Sequence, residues 1–485
     1  MRDDGLEGDV LAGDGLFTAT IPGRAASLVA FHIAAADGLG ATSLWPRSFP
    51  IEEGLIRWGD LAPLGTFPHV HLWCTTKNRN AVGNALNNAY RRGTLVYGST
   101  RVIHNVYFRD KGSPYHSGSG DIMARTPDDE KLHGVSERLF SKTGNGGVEE
   151  TGLRGRVSAW IASQMGVPSL SGKYQFFYIN GASFANIVED QEEPDHRYAE
   201  HHQPDNVPGD LYKISILFDY NDGNLQFNAT QATMARFLSD GRLDLDRYRW
   251  NWERRAQAFP ESDYRTIFDL VEAINSPADA GYVDRVQRHA DMAQWMDVFA
   301  FHRVTGNWDS WTYNVGQNMY LYRQPGRRAI LMPWDIDFVL GLGDAASAAL
   351  WGGQDSVMNT RVYDNPTFRR MLWRSLMRAA EGPMLQENFG PVIDAYRTVQ
   401  LQNKVTATTS PGAVSNYING RRTTILSRYK AADTPALVIT SNGGADFTSP
   451  SPTVTLSGNA PLRVADIAVN GVRLPVAWTG LTTFA

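Results

Sequence analysis

The hydrophobic pattern changes period several times along the chain, and each change marks an element. Near the start, LFTATIP and SLVAFHIAAAD have strand character, with Val29, Phe31 and Ile33 alternating against Ala30 and His32. Residues 38–60 read as a linker. Residues 61–125 are β-rich: HVHLWC and RVIHNVYF have strand lengths, with a helix-like AVGNALNNAYRR between them. Leu153, Val157, Trp160, Ile161 and Met165 form a helical stripe, so residues 149–165 are expected to be one helix with that stripe in the core. YQFFYINGASFANIVEDQEE suits a hairpin turning at Asn180–Gly181. Residues 228–304 are expected to be helical, anchored by Trp250, Trp252, Phe268, Trp295 and Phe299, and so are residues 361–431. Between these blocks, NMYLY and AILMPW read as two strands joined by the turn RQPGRR. From about Pro435, LVITS, PTVTLSG and DIAVNGVRLPVAW are rich in β-branched residues, with Asn470–Gly471 as a hairpin turn.

The chemistry gathers around that central hairpin, in Asn307–Gly343. Asp309 and Asn314 are five apart (314 − 309), the interval at which a phosphotransferase loop places a base and an amide ligand. The second strand runs into Trp334-Asp335-Ile336-Asp337, which delivers a carboxylate behind the loop, 26 residues after Asp309 (335 − 309). Such a set can accept a hydroxyl proton and hold a divalent cation against phosphates. His302–Arg303 stands six residues too early to complete an HRD tripeptide and reads as the end of the preceding helix. Earlier in the chain, RDKGSPYHSGSGD carries Gly118 and Gly120, whose amides could approach a phosphate; a plain turn is the competing reading. Glu149 or Glu150 could pair with a phosphate-binding cation, or simply favour a helix start.

These residues, together with RVIHNVYFRDKGSPYH, TPDDEKLHG, LRGRVSAWIASQMGVP, GDLYKI and YRWNWERR, resemble the CotH kinase family, named for spore coat protein H. The resemblance runs over roughly residues 45–430, and GNWDSWTYN with PWDID is its most specific part. It implies an atypical protein-kinase-like fold, with Asp309 as the catalytic aspartate and Asn314 and Asp335 as metal ligands. Asp337 is similar to the second aspartate of that motif, and Glu189 stands at a family glutamate. The glycine loop at 118–120 would then face a nucleotide. The family places a Lys or Arg in the strand that here reads DIMART, where Arg125 is the one cation; Lys142 and Lys213 are substitutes. The implied cofactors are ATP with Mg²⁺ or Mn²⁺, and the implied partner is an extracytoplasmic protein offering Ser or Thr.

On this basis the chain is expected to be α+β, with the kinase-like domain at 45–432. The end of a β-sandwich at 1–40 and an incomplete immunoglobulin-like domain at 436–485 would flank it, as in a longer exported protein cut at both ends. Two rivals come from other classes. A catalytically inactive kinase-like fold could serve as a cell-surface structural or adhesion module, which the missing strand lysine favours. A glycoside hydrolase could use Asp309 with Asp335 or Asp337, but leaves Asn314 without a role.

Composition removes several other classes. With 42% hydrophobic and 20% charged residues the chain is an ordinary globular one, and a net charge of −5 gives no footprint for nucleic acid. No apolar run approaches the ~20 residues of a membrane span. Cys74 is the sole cysteine, which excludes an internal disulfide and a thiolate metal site; it reads as a small buried residue. Asp3, Asp4, Asp9 and Asp14 could bind Ca²⁺, though Gly-Asp turns account for them as well. His201, His202 and Asp205 lack a third ligand at useful spacing and read as a polar loop.

Overall fold

In the computed structural model the described residues are all but 83–88, 112–119, 144–148, 150, 171, 196–197, 200–201, 204–207, 222–223, 257–262, 312, 407–408 and 435; at 218–221, 224–229 and 256 the backbone alone is described. The chain divides into two compact units, Met1–Lys142 with Tyr174–Asp190, and Thr143–Lys173 with Gln191–Ala485.

The first unit opens with four short strands: β1 (Leu28–Phe31), β2 (Ile33–Ala36), β3 (Thr42–Trp45) and β4 (Gly54–Arg57). β1 pairs antiparallel with β4, and β2 with β3. The stretch expected to be a linker therefore holds two strands. Asp37 explains the first of them, because its Oδ1 accepts the Leu39 and Ala41 amides and turns the chain.

An eight-stranded sheet follows, built from β5 (His69–Trp73), β6 (Arg91–Tyr97), β7 (Arg101–Lys111), β8 (Asp121–Arg125), β9 (Glu137–Lys142), β10 (Gly172–Ile179), β11 (Ala182–Ser183) and β12 (Val188–Gln191). A short helix, α1 (Thr76–Val82), links β5 to the segment before β6. The strand order is β11-β10-β12-β9-β8-β7-β6-β5, and β10 also pairs parallel with β5, so the sheet closes on itself. Its interior is filled by Val70, Leu72, Leu95, Val106, Phe108, Ile122, Phe140 and Phe177, with Cys74 buried among them. The Asn180–Gly181 turn forms as its sequence requires, pairing Ile179 with Ala182.

The second unit carries the helices. α2 (Leu153–Gln164) buries Leu153, Val157 and Ile161 of the stripe read from the sequence, while Trp160 and Met165 pack against the core half-buried. A four-stranded antiparallel sheet, ordered β18-β13-β19-β20, lies at its centre. Its members are β13 (Asp210–Ile214), β18 (Trp252–Ala256), β19 (Met319–Arg323) and β20 (Ile330–Pro333). The hairpins β14–β15 (Leu217–Asn221, Asn224–Thr230) and β16–β17 (Leu238–Ser239, Arg242–Leu243) and the short α3 (Leu245–Arg249) stand between β13 and β18. The described part of residues 228–264, expected to be helical, is thus mostly strand and loop with α3 as its one helix; α4 (Arg265–Ile274), α5 (Tyr282–His289) and α6 (Met292–Thr305) follow. The reason is pairing: Trp252 drops into the core at 1% exposure, the strand it starts aligns with β13, and Arg254 forms an ion pair with Asp210 of β13. Trp250, expected as an anchor, stays 47% exposed.

Three further helices complete the core: α7 (Pro366–Glu381), α8 (Gln386–Gln402) and α9 (Pro411–Ala432). The C-terminal strands are β21 (Val438–Ile439), β22 (Gly458–Asn459), β23 (Ile467–Val469), β24 (Val472–Leu474) and β25 (Thr483–Phe484). They form a three-stranded sheet, β21-β22-β25, and a separate β23–β24 hairpin; an immunoglobulin-like sandwich is not among these described strands. This tail is held by the fully buried Arg370 of α7, which donates to the carbonyls of Pro461, Val464 and Leu481 at 2.7, 2.7 and 2.6 Å and lies 3.4 Å from the centre of the Trp478 ring. No helix among the described residues is long and apolar enough to cross a membrane.

Candidate active site

The site is built where α6 stops. Gly306 caps that helix in the left-handed region at φ 75°, and a Cβ there would strike the Tyr417 hydroxyl. The chain then makes a tight loop, with the Trp311 amide donating to Gln317 O at 2.8 Å and the Asn314 amide to Trp308 O at 3.1 Å. Trp311 is the loop's anchor: fully buried, it meets Trp252, Trp295 and Phe299 edge-on at ring separations of 5.4, 5.8 and 6.3 Å. His302 and Arg303 are buried inside α6, where the sequence reading put them. Burial pushes the His302 imidazole down to about 3.

The anchor fixes Asp309, which is 9% exposed. Its Oδ1 accepts from Gln317 Nε2 at 2.6 Å and its Oδ2 from Asn318 Nδ2 at 3.0 Å. Asn318 Nδ2 also lies 3.1 Å from the Asp309 carbonyl. Burial raises the Asp309 pKa, the two amide donors oppose that, and the charge of Asp335 adds to it.

The hairpin brings the other carboxylates. β19 and β20 pair Met319 with Pro333, so Asn318 and Trp334 are the next residues out, and the Trp334 amide donates to Asn318 O at 3.1 Å. Asp335 follows at φ 53°, left-handed backbone that a non-glycine residue adopts only where its surroundings hold it. Asp337 is pushed up to about 8, first by burial and then by the charges of Asp335 and Asp309. Its Oδ1 is buried and accepts no hydrogen bond. Two buried carboxylates, Asp309 and Asp337, whose proton affinity is raised by burial and by the charge of Asp335, one of them with an orphaned oxygen, suit a divalent cation. They are not packed as tightly as Asp3, Asp9 and Asp14, the one described carboxylate trio whose oxygens lie within 4.8 Å of one another. In that trio Asp3 and Asp9 accept backbone amides, as Gly-Asp turns require.

The remaining sequence-derived residues divide between the units. Asn314 is on the loop but exposed. The amide that reaches Asp309 is that of Asn318, which the five-residue interval did not single out; its signal was its place just before the first hairpin strand. Gln317 was missed for the same reason. Lys213 lies on β13, opposite Tyr320 of β19. Burial draws its ammonium below the usual range, while Glu253, Glu193 and Asp335 act against that. Arg125, Lys142, Glu189 and Gly120 belong to the first unit. There Arg125 is exposed, 4.0 Å from Glu137; Lys142 sits 4.5 Å from the centre of the Phe184 ring; and Glu189 is buried in β12. Gly118, Glu150, His201 and Asp205 lie outside the described residues. Glu149 is paired with Arg154 at 3.4 Å.

Comparison with known proteins gives one family. The model of the family described as CotH kinase protein matches residues 121–419, more than half of the chain. Among solved structures, a chain of the Shewanella oneidensis MR-1 toxin antitoxin system HipA, HipB and its operator DNA complex aligns at 13% identity with a TM-score of 0.24. That alignment covers 61% of this chain and 58% of that one, and a likeness of this size carries no argument. No curated protein matches the sequence significantly.

Proposed function

The chain belongs to the CotH kinase protein family, and from that premise we propose that it transfers a phosphoryl group from ATP to a Ser or Thr hydroxyl of a protein outside the cytoplasm. The observation that carries the reading is that Asn318 bonds Asp309 through its side chain and the Trp334 amide through its carbonyl, which ties the buried aspartate to the strand end that bears Asp335 and Asp337. The extracytoplasmic setting and the protein acceptor rest on the family resemblance.

Each residue has a part in this chemistry. Asp309, held at both oxygens, orients the acceptor hydroxyl and takes its proton. Asp335 and Asp337 would hold Mg²⁺ or Mn²⁺, with the amide oxygen of Asn318 as a further ligand, since Asn318 Nδ2 is committed to Asp309. Asn318 is given the part that the interval assigns to Asn314 because its side chain reaches Asp309 directly. Such a cation, when bound, neutralises phosphate oxygens and the charge that develops during transfer. Lys213, which interacts electrostatically with Asp335, supplies a positive charge to this group. Isothermal titration with Mg-ATP, run beside a phosphoryl-transfer assay, tests the reading. Asp309→Ala should bind nucleotide and fail to transfer, and Asp335→Ala should bind Mg-ATP weakly. Full turnover in either variant removes that residue from the mechanism.

A further inference from the structure

Between Asp335 and Gly343 the chain reverses more than once, and the turning points are unusual. Leu340 has φ 51° and Gly341 φ 102°. A leucine in left-handed backbone persists only where neighbours over-determine it. Two bonds do so here. The Leu340 amide donates to Thr305 O at 2.8 Å, the last residue of α6, and its carbonyl accepts from the Arg154 guanidinium of α2. Leu340 is fully buried and Arg154 is 9% exposed.

Arg154 is itself held. Glu149, at 2% exposure, pairs with it and accepts from the Thr151 amide at 3.0 Å and from the hydroxyls of Thr151 and Thr409. Gln400 of α8 closes the group by donating to Thr151 O at 2.9 Å. A buried acid bonded to this many donors is held in one place, and the guanidinium paired with it is held there too. The result is a rigid strut from α8 and the start of α9 through α2 to the carbonyl three residues after Asp337.

We propose that Arg154 is a positioning residue: by clamping Leu340 it sets the backbone that presents Asp335 and Asp337 to a divalent cation. The metal part rests on the reading of those two carboxylates as the metal-holding pair. Glu149 acts through Arg154, as the residue that aims it. Groups that orient metal ligands change affinity by about 10–100-fold when removed.

The test uses the whole chain and Mn²⁺ alone, without nucleotide. Mn²⁺ binding is followed by electron paramagnetic resonance of the free ion, and binding that persists in Asp335→Asn is subtracted as belonging elsewhere. Arg154→Met should weaken the remaining binding about tenfold or more, with partial recovery in Arg154→Lys. Amide exchange of residues 339–342 should quicken in Arg154→Met while that of α7 stays as in the parent. Should Arg154→Met fail to fold, Glu149→Gln, which keeps groups for the Thr151 and Thr409 contacts but loses the charge, should show the same two changes to a smaller degree. Parent-like Mn²⁺ affinity in these variants overturns the proposal. If the parent binds no more Mn²⁺ than Asp335→Asn, the metal reading fails by itself. The exchange data then decide the clamp: unaltered protection at 339–342 overturns it as well.

Discussion

Asn318 Nδ2 lies 3.0 Å from Oδ2 of Asp309, and the peptide of the same asparagine takes the Trp334 amide at 3.1 Å. One residue thus joins the buried aspartate of the loop to the strand end that carries Asp335. Asn318→Ala should therefore lower both Mn²⁺ affinity and phosphoryl transfer, by about tenfold or more, while Asn314→Ala stays near the parent. Metal titration of the two variants side by side checks this, and the opposite ranking would restore Asn314 to the role its interval suggests.

The contrast shows what was legible. The hairpin could be read because its strands are apolar runs around a Pro-Gly turn, and Asp309, Asp335 and Asp337 stood out in the sequence because they flank it. Asn318 was not, because counting from an aspartate ignores the strand register that decides which amide returns to it. The stretch around β18 was misread as helix for a similar reason. Trp250 and Trp252 are equally hydrophobic in the sequence, and only pairing with β13 buries the second and leaves the first outside. Which of Arg125, Lys142 and Lys213 shares a unit with the carboxylates is also a matter of long-range pairing; it is Lys213.

Asp309 should behave as a base and not as a structural carboxylate. Asp309→Asn keeps the side chain's size and one accepting oxygen, needs one of the Gln317 and Asn318 amides to turn, and removes the proton acceptor. Transfer is expected to fall about 10²- to 10⁴-fold with Mg-ATP binding within a few-fold of the parent. Equal losses in binding and transfer would instead point to a collapsed loop.

Stability should depend on pH through Asp337, with a sign opposite to the usual acid. Its folded-state value of about 8 lies above the ordinary 3.8, so the folded chain holds the proton more tightly than the unfolded one. Stability contributed this way is complete below pH 3.8 and is lost as pH rises through about 8. His302, pushed from 6.5 to about 3, works the other way: stability falls as pH drops below 6.5. Between pH 6.5 and 8 the Asp337 effect is free of that opposition. In the presence of chelator, Tm is expected to fall across this window, and Asp337→Asn should flatten the slope. Added Mn²⁺ should raise Tm more at the upper end, where fewer protons compete for the carboxylates. A melting series followed by circular dichroism decides it, and a parent slope unchanged by the substitution would place the titrating group elsewhere.

Trp311 should prove the costliest aromatic to remove from the loop. It is fully buried and touches Trp252, Trp295 and Phe299, so truncation leaves a cavity that three rigid rings cannot fill. Trp311→Ala is expected to destabilise by about 3–5 kcal/mol in urea unfolding. Trp250→Ala, at a site 47% exposed, should stay within about 0.5 kcal/mol of the parent. A milder change, Trp311→Phe, keeps one ring in the core and should leave the fold cooperative. Because Asp309 is two residues from this anchor, Trp311→Phe should still lower turnover more than nucleotide affinity. Parent-like turnover in Trp311→Phe would mean that the loop is held well enough by its backbone bonds and by Gln317 and Asn318, and that the aromatic cluster serves the core alone.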